Sequence, residues 1–341
     1  MQISFPNSKL LLQVLVVFAL LVSLTGFSSA LAAPARPSYE YYVTGSSTNV
    51  TRSTTAGQLL MGGGTDVDAA FQWMIGKSGG GDFVVIRVTG TDAYNPYIYG
   101  LGTVDSVETI IIKNLAAASD PFVVDKIRNA EALFIAGGDQ NDYVTLWKGT
   151  PVEDAIHYLV TRNVPIGGTS AGLAVMGEFV FSAANGTIDS PVALGNPYNN
   201  KVALARDFLV LPNMGGIITD SHFVTRDRMG RLVTFLARIV KDGWAGTAKG
   251  IGIDEMTAIA VEANGTAIVL GSGAAYFLRT PGVPEVCQAK KALTYRNVSV
   301  YRVSGSATFN FSTWSGSGGT AYTLTAENGV LTSTQAGGGI Y

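Results

Sequence analysis

The sequence predicts an α/β fold in which a parallel sheet is covered by helices. Three observations carry this. Short runs that are apolar throughout alternate with segments of helical spacing, as strands buried on both faces alternate with covering helices. These runs end in glycine or polar residues, where loops begin. The chain has 341 residues and a single cysteine, so no intrachain disulfide is available and an ordinary hydrophobic core must hold it.

The elements follow in order. Gln58-Leu59-Leu60-Met61 is a short strand running into Gly62-Gly63-Gly64, and Asp66 to Ile75 has helical spacing. Asp82 to Val88, Val107 to Ile112 and Glu131 to Ala136 are apolar strands, the last ending in Gly137-Gly138-Asp139-Gln140. Val152 to Val160 is a helix leading into Val164-Pro165-Ile166. Ile217 to Phe223 is an apolar run breaking into polar residues, and Arg228 to Val240 is an amphipathic helix. Gly250 to Glu255 is a strand ending in acid. Ala258 to Glu262, Ala267 to Leu270 and Ala274 to Leu278 are closely spaced strands, which predicts a β meander. From 281 the chain is β-prone and rich in glycine, serine and threonine. Asn297 to Val303 is its last strong strand, and 314–341 reads as a loosely ordered tail.

The first 32 residues read as a signal peptide. Lys9 is their only charge, Leu10 to Leu24 is apolar, and Ala30-Leu31-Ala32 suits cleavage. Secretion to the outside or to a periplasm is expected, with no membrane association after cleavage. Residues 33–55 are a polar, irregular leader. The formal net charge of −2 argues against a nucleic-acid partner. No Cys/His cluster supports a metal, and no cofactor is implied. Cys287 has no elbow or base beside it and reads as structural. Five Asn-X-Ser/Thr triplets, at Asn49, Asn185, Asn264, Asn297 and Asn310, carry meaning only in a eukaryotic secretory pathway.

The chemistry centres on Gly168-Thr169-Ser170-Ala171-Gly172. A strand, a glycine-flanked serine and a helix form the nucleophile-elbow arrangement, which lifts the serine oxygen to the sheet edge. Such a serine needs a base, and the chain has two histidines, His157 and His222. His157 lies within a helix that packs on the sheet and reads as structural. His222 follows a strand end, where open α/β sheets place their sites.

Several blocks together resemble the serine peptidase family S51, which contains cyanophycinase and aspartyl dipeptidase. They are Gly137-Gly138-Asp139-Gln140, Gly167 to Gly172, Asp220-Ser221-His222-Phe223 with Arg226, Arg228, Gly230 and Arg231 behind it, and Gly250 to Glu255 followed by Thr257-Ala258. The resemblance covers roughly 56–280 and is stronger to cyanophycinase than to the short dipeptidases. It implies a flavodoxin-like sheet of the class I glutamine amidotransferase type over 56–280, with 281–341 as a β-rich C-terminal extension. It implies Ser170 as nucleophile and His222 as base, with Asp254 or Glu255 as the orienting acid and Glu255 favoured. The amides of Ala171 and of Gly138 or Asp139 would form the oxyanion hole. Gln140, Asp220, Arg226, Arg228, Arg231 and Thr257 would contact substrate; arginine forks suit carboxylates, though only one or two of the three are expected to do so.

The implied substrate is a peptide or polymer, with cyanophycin, a polyaspartate backbone bearing arginines, as the model and β-Asp-Arg dipeptides as products. Asp227, where related sequences tend to have glycine, and Leu173, where alanine is common, depart from the family pattern and bear on specificity. A non-catalytic secreted binding module of the same fold is one alternative. An esterase is another; its chain order would put the acid between serine and histidine, where Asp189 and Asp207 lie. Whether the chain forms a homodimer is open.

Overall fold

A computed structural model describes residues 1–2 and 37–341. The signal peptide expected over 1–32 therefore lies outside the described residues, save for Met1 and Gln2. In chain order the strands are β1 (Glu40–Gly45), β2 (Gly57–Met61), β3 (Asp82–Arg87), β4 (Ser106–Ile111), β5 (Ala132–Ile135), β6 (Ile166–Thr169), β7 (Phe179–Phe181), β8 (Leu204–Arg206) and β9 (Ile217–Asp220). There follow β10 (Lys249–Ile253), β11 (Thr257–Glu262), β12 (Thr266–Gly271), β13 (Ala274–Arg279), β14 (Tyr295–Ser304), β15 (Thr308–Asn310), β16 (Ser315–Ser317), β17 (Thr320–Glu327) and β18 (Val330–Ser333).

They form two sheets rather than one. The first has the order β1-β4-β3-β5-β6-β2-β11-β12-β15-β16 and the second β18-β17-β14-β13-β10-β9-β7-β8. The parallel strands that the apolar runs predict are present: β4, β3, β5, β6 and β2 run parallel in the first sheet. In the second, β7, β9 and β10 are parallel. The remaining partners are antiparallel, so the fold is mixed α/β.

Strand periodicity explains the layers. Successive side chains point to opposite faces. Leu59, Phe83, Val85 and Phe134 pack with Phe71 and Met74 of the helix Asp68–Lys77. Leu60, Val84, Ile86 and Leu133 face the other way, toward Val123, Ile127 and Ile156 of the helices Pro121–Asn129 and Pro151–Thr161. A strand apolar on both faces reads as an unbroken hydrophobic run. The second sheet likewise has two dry faces. Ile251, Ile253 and Phe277 share the core of the first sheet. Tyr276, Leu278 and Val300 pack with Phe235 and Leu236 of the helix Met229–Lys241.

Two expectations change. The predicted meander is split: β11 and β12 form a hairpin in the first sheet, whereas β13 pairs with β10 and β14 in the second. The chain crosses between sheets after Gly271, and strand composition alone carries no record of which neighbour each strand chooses. The segment 314–341 is also ordered, with β17 paired to β14 and β18 to β17. Among the described residues no helix is long and apolar enough to cross a membrane.

The register sets up the site. Met61 lies beside Thr169 and Gly252 beside Asp220, so the loops after β2 and β6 leave side by side, as do those after β9 and β10.

The late strands contribute to the core through Phe309 of β15, which stacks on Phe277 of β13 with ring centroids 3.6 Å apart and so ties the two sheets together. Replacing Phe309 by alanine should cost about 3–5 kcal/mol, read as a lower urea midpoint. A loss under about 1 kcal/mol would mean that the late strands are peripheral.

Candidate active site

The turn after β6 holds Ser170 at φ 53° and ψ −113°, a backbone conformation that side chains rarely adopt and that functional sites retain. It is fixed on both sides: Ser170 N donates to Met61 O at 3.2 Å, and Ala174 N donates to Ser170 O at 3.0 Å. The flanking glycines are a steric requirement. A Cβ on Gly168 would lie 2.7 Å from the Gly172 backbone, and one on Gly172 would strike Ile135 O.

His222 and Glu255 arrive from the other sheet, past the ends of β9 and β10. Ser170 Oγ lies 2.8 Å from His222 Nε2, and His222 Nδ1 lies 2.5 Å from Glu255 Oε1. A carboxylate accepts, so Nδ1 carries the hydrogen and Nε2 presents its lone pair to the serine hydroxyl. Neighbouring Asp254 is used elsewhere: its Oδ1 accepts from the Val224 and Thr225 amides at 3.1 and 3.0 Å. Of the two acids that the sequence leaves open, Glu255 is the one at the imidazole.

Both arriving loops rest on the glycines after β2. His222 N donates to Gly62 O at 2.8 Å, and Met256 N donates to Gly63 O at 2.9 Å. Gly63 has φ +95°, and a Cβ there would sit 2.6 Å from His222 Cε1. The sequence shows three glycines after a strand but not this role, because the partners lie far away in the chain.

Burial holds the His222 imidazole below its usual value; the Arg226 and Arg228 cations act in the same direction, against the Glu255 carboxylate. The ring is therefore neutral near pH 7, as a proton acceptor must be.

A cleft of about 380 Å³ opens beside Ser170 and is bordered by Gly138, Gln140, His222, Arg226 and Arg228. Ala171 and Asp139 also line it. Among the described residues no carbonyl or side-chain oxygen accepts from the amides of Ala171, Gly138 or Asp139. The Asp139 carboxylate itself caps the next helix through Asn141 N at 2.9 Å. Gln140 Nε2 donates to Phe181 O at 3.4 Å, a weak restraint.

Three of the expected substrate contacts are engaged within the protein. Asp220 and Arg231 are occupied with each other: the guanidinium donates to both carboxylate oxygens, at 2.7 and 2.5 Å. Their exposures are only 3% and 2%, and the pair forms part of the cleft wall. Thr257 is fully buried behind the site; its hydroxyl donates to Glu255 O at 2.9 Å and accepts from Gly273 N at 3.0 Å. It braces the backbone of the acid. Arg228 donates to Ser221 O at 2.8 Å, and burial pulls its guanidinium down to about 10, still cationic at neutral pH. Arg226 is half-exposed, with Glu255 Oε1 3.9 Å away. His157 accepts from Val210 N at 3.0 Å, a structural contact. Cys287 is buried, which pushes its thiol up to about 11.

With His157 replaced by glutamine, His222 is the one imidazole left to titrate. Its proton NMR midpoint should fall below the ordinary 6.5. Arg226→Gln should raise it, because removing a cation favours the imidazolium; a fall would contradict this arrangement. Gly63→Ala should displace the ring and cut phosphonylation of Ser170 by an active-serine reagent about 100-fold or more, while unfolding stays cooperative. Unchanged labelling would mean the close approach is unimportant.

The model of peptidase family S51 matches residues 105–269, a stretch that contains Ser170, His222 and Glu255. The chain is 32% identical to a cyanophycinase from Synechococcus elongatus over 172 residues, 50% of this chain and 48% of that protein. It is 27% identical to a cyanophycinase from Geminocystis herdmanii over 204 residues, 57% of this chain and 69% of that one. A peptidase from an acI-B1 Actinobacterium is similar in structure with a TM-score of 0.48 and 16% identity, covering 66% of this chain and 91% of that one. The chain spans about half the length of the first curated relatives it matches. Through the matched stretch and the motif blocks within it, the chain is similar to peptidase family S51.

Proposed function

We propose that this protein is a secreted, cyanophycinase-like serine peptidase that cleaves peptide or isopeptide bonds next to aspartate through an acyl-enzyme on Ser170. One observation carries the reading: the unbroken series Ser170 Oγ, His222 Nε2, His222 Nδ1, Glu255 Oε1, with separations of 2.8 and 2.5 Å.

Chemistry follows from that series. Ser170 Oγ attacks the scissile carbonyl as its proton passes to His222 Nε2, and Glu255 holds the resulting imidazolium by its Nδ1 hydrogen. The oxyanion is met by the amide of Ala171 and by that of Gly138 or Asp139, whose donors are otherwise unspent. The tetrahedral adduct collapses as His222 returns the proton to the departing amine, leaving the acyl group on Ser170. Water then attacks, with His222 again taking the proton, and the carboxylic acid leaves. Arg226 and Arg228 supply cations suited to aspartate carboxylates of the substrate, and Gln140 lies within reach of its backbone.

The four strands β3 to β6 lie in the spatial order β4-β3-β5-β6, which corresponds to 2-1-3-4 of a flavodoxin-like sheet. That supports reading 56–280 as the flavodoxin-like, class I glutamine amidotransferase type of domain, with 281–341 as a β-rich addition. Secretion is supported by Lys9, the apolar run 10–24 and Ala30-Leu31-Ala32. Cyanophycin is the first substrate to test, because the curated relatives named above are cyanophycinases.

The test incubates the mature chain with cyanophycin and with a set of β-aspartyl dipeptides and identifies products by mass. Dipeptides of aspartate and arginine are expected from the polymer. Ser170→Ala should lower turnover at least ~1000-fold, and Glu255→Gln about 100- to 10,000-fold. Retained activity in Ser170→Ala would end the mechanism; activity only on the short dipeptides would end the polymer reading.

A further inference from the structure

Asp227 lies between Arg226 and Arg228, the two arginines at the cleft, and its backbone is left-handed at φ 46°. Side chains rarely rest there unless something holds them. Here both ends are held. Ser190 Oγ donates to Asp227 O at 2.5 Å, and Tyr341 Oη donates to Asp227 Oδ1 at 2.8 Å.

Tyr341 does more at the same place. Its Oη accepts from Met229 N at 2.9 Å. Met229 begins the helix Met229–Lys241, whose N-cap, Arg228, offers no side-chain bond. First-turn amides lack partners within their own helix, so a residue 112 positions away supplies the missing cap. The Tyr341 ring packs edge-on against Phe223 and Tyr276, with centroids 5.9 and 5.8 Å away; Phe223 directly follows His222. Tyr341 is itself framed: Gln335 Nε2 donates to Gly339 O at 2.8 Å, and Tyr322 Oη donates to Ile340 O at 2.9 Å. Burial raises the phenol well above its ordinary value, so the hydroxyl keeps the proton that it donates.

We propose that Tyr341 is a positioning residue: its hydroxyl latches the turn 223–229 through Asp227 and the Met229 amide and so fixes Arg226 and Arg228 for the carboxylates of the substrate. The effect on substrate rests on the peptidase reading; the latch does not. His222 is anchored separately by Gly62 O, Ser170 and Glu255. Loss of the latch therefore falls on binding and spares proton transfer.

Hydrogen exchange by mass spectrometry and steady-state kinetics on cyanophycin test this together. Tyr341→Phe keeps the ring and removes both hydroxyl bonds. Exchange of the segment 223–231 should rise about tenfold, with 151–161 unchanged. KM should rise about fivefold with kcat within about twofold. Asp227→Asn keeps an acceptor and tolerates a left-handed backbone, so it should behave as the parent. Asp227→Gly should resemble Tyr341→Phe, and it serves in its place if that variant does not fold. Unchanged exchange at 223–231, a rise spread evenly over the chain, or a fall in kcat at constant KM would overturn the proposal. The exchange arm needs no turnover: a parent chain that cleaves nothing ends the peptidase reading, and exchange alone then decides the latch.

Discussion

The contact between Ser170 Oγ and His222 Nε2, 2.8 Å long, joins two separate sheets, and most of the architecture serves to hold it. Ser170 leaves β6 of the first sheet, while His222 and Glu255 follow β9 and β10 of the second. Two sheets sharing a core could slide by an ångström, and such a slip would break a proton path. The glycines after β2 prevent it. Gly62 O and Gly63 O, on the first sheet, accept from His222 N and Met256 N, so the serine, the imidazole and the acid are all referenced to one stretch of backbone. Gly63 must lack a side chain for the ring to come so close. Left-handed backbone recurs at Ser170, His222 and Met256, as expected where tertiary contacts override local preference.

Charge is distributed around this contact in two grades. The Asp220–Arg231 pair is sealed from water, and each partner satisfies the other. Its value is structural: removing either member would leave an uncompensated buried charge. Arg226 and Arg228 carry positive charge at the border of the cleft. The same two cations help to hold the imidazole neutral. If these arginines bind substrate as proposed, affinity and base strength are linked through the same side chains.

The sequence made the serine legible because glycine spacing at 168 and 172 is a steric rule that needs no knowledge of distant parts. His222 was legible by elimination, with two histidines in the chain and one of them inside a helix. The residues alone did not choose between Asp254 and Glu255, since adjacent residues at a strand end point apart; the resemblance favoured Glu255, and the fold brings Glu255 to the ring. Asp220, Arg231 and Thr257 carried the right chemistry for substrate, yet burial assigned them to each other and to the backbone. The parallel strands were visible as apolar runs. The second sheet was not, because β13 and β12 look alike in composition and differ only in partner. Tyr341 gave no local signal at all; its role comes from a turn far back in the chain.

The central claim is that Ser170 becomes covalently acylated. Intact-mass measurement on millisecond-quenched mixtures of the chain with an activated aspartyl ester tests it most directly. The account predicts a transient mass increase equal to the acyl group, mapped to the Ser170 peptide and decaying as free acid appears. Steady release of acid with no adduct on Ser170, or an adduct mapped to another residue, would contradict it.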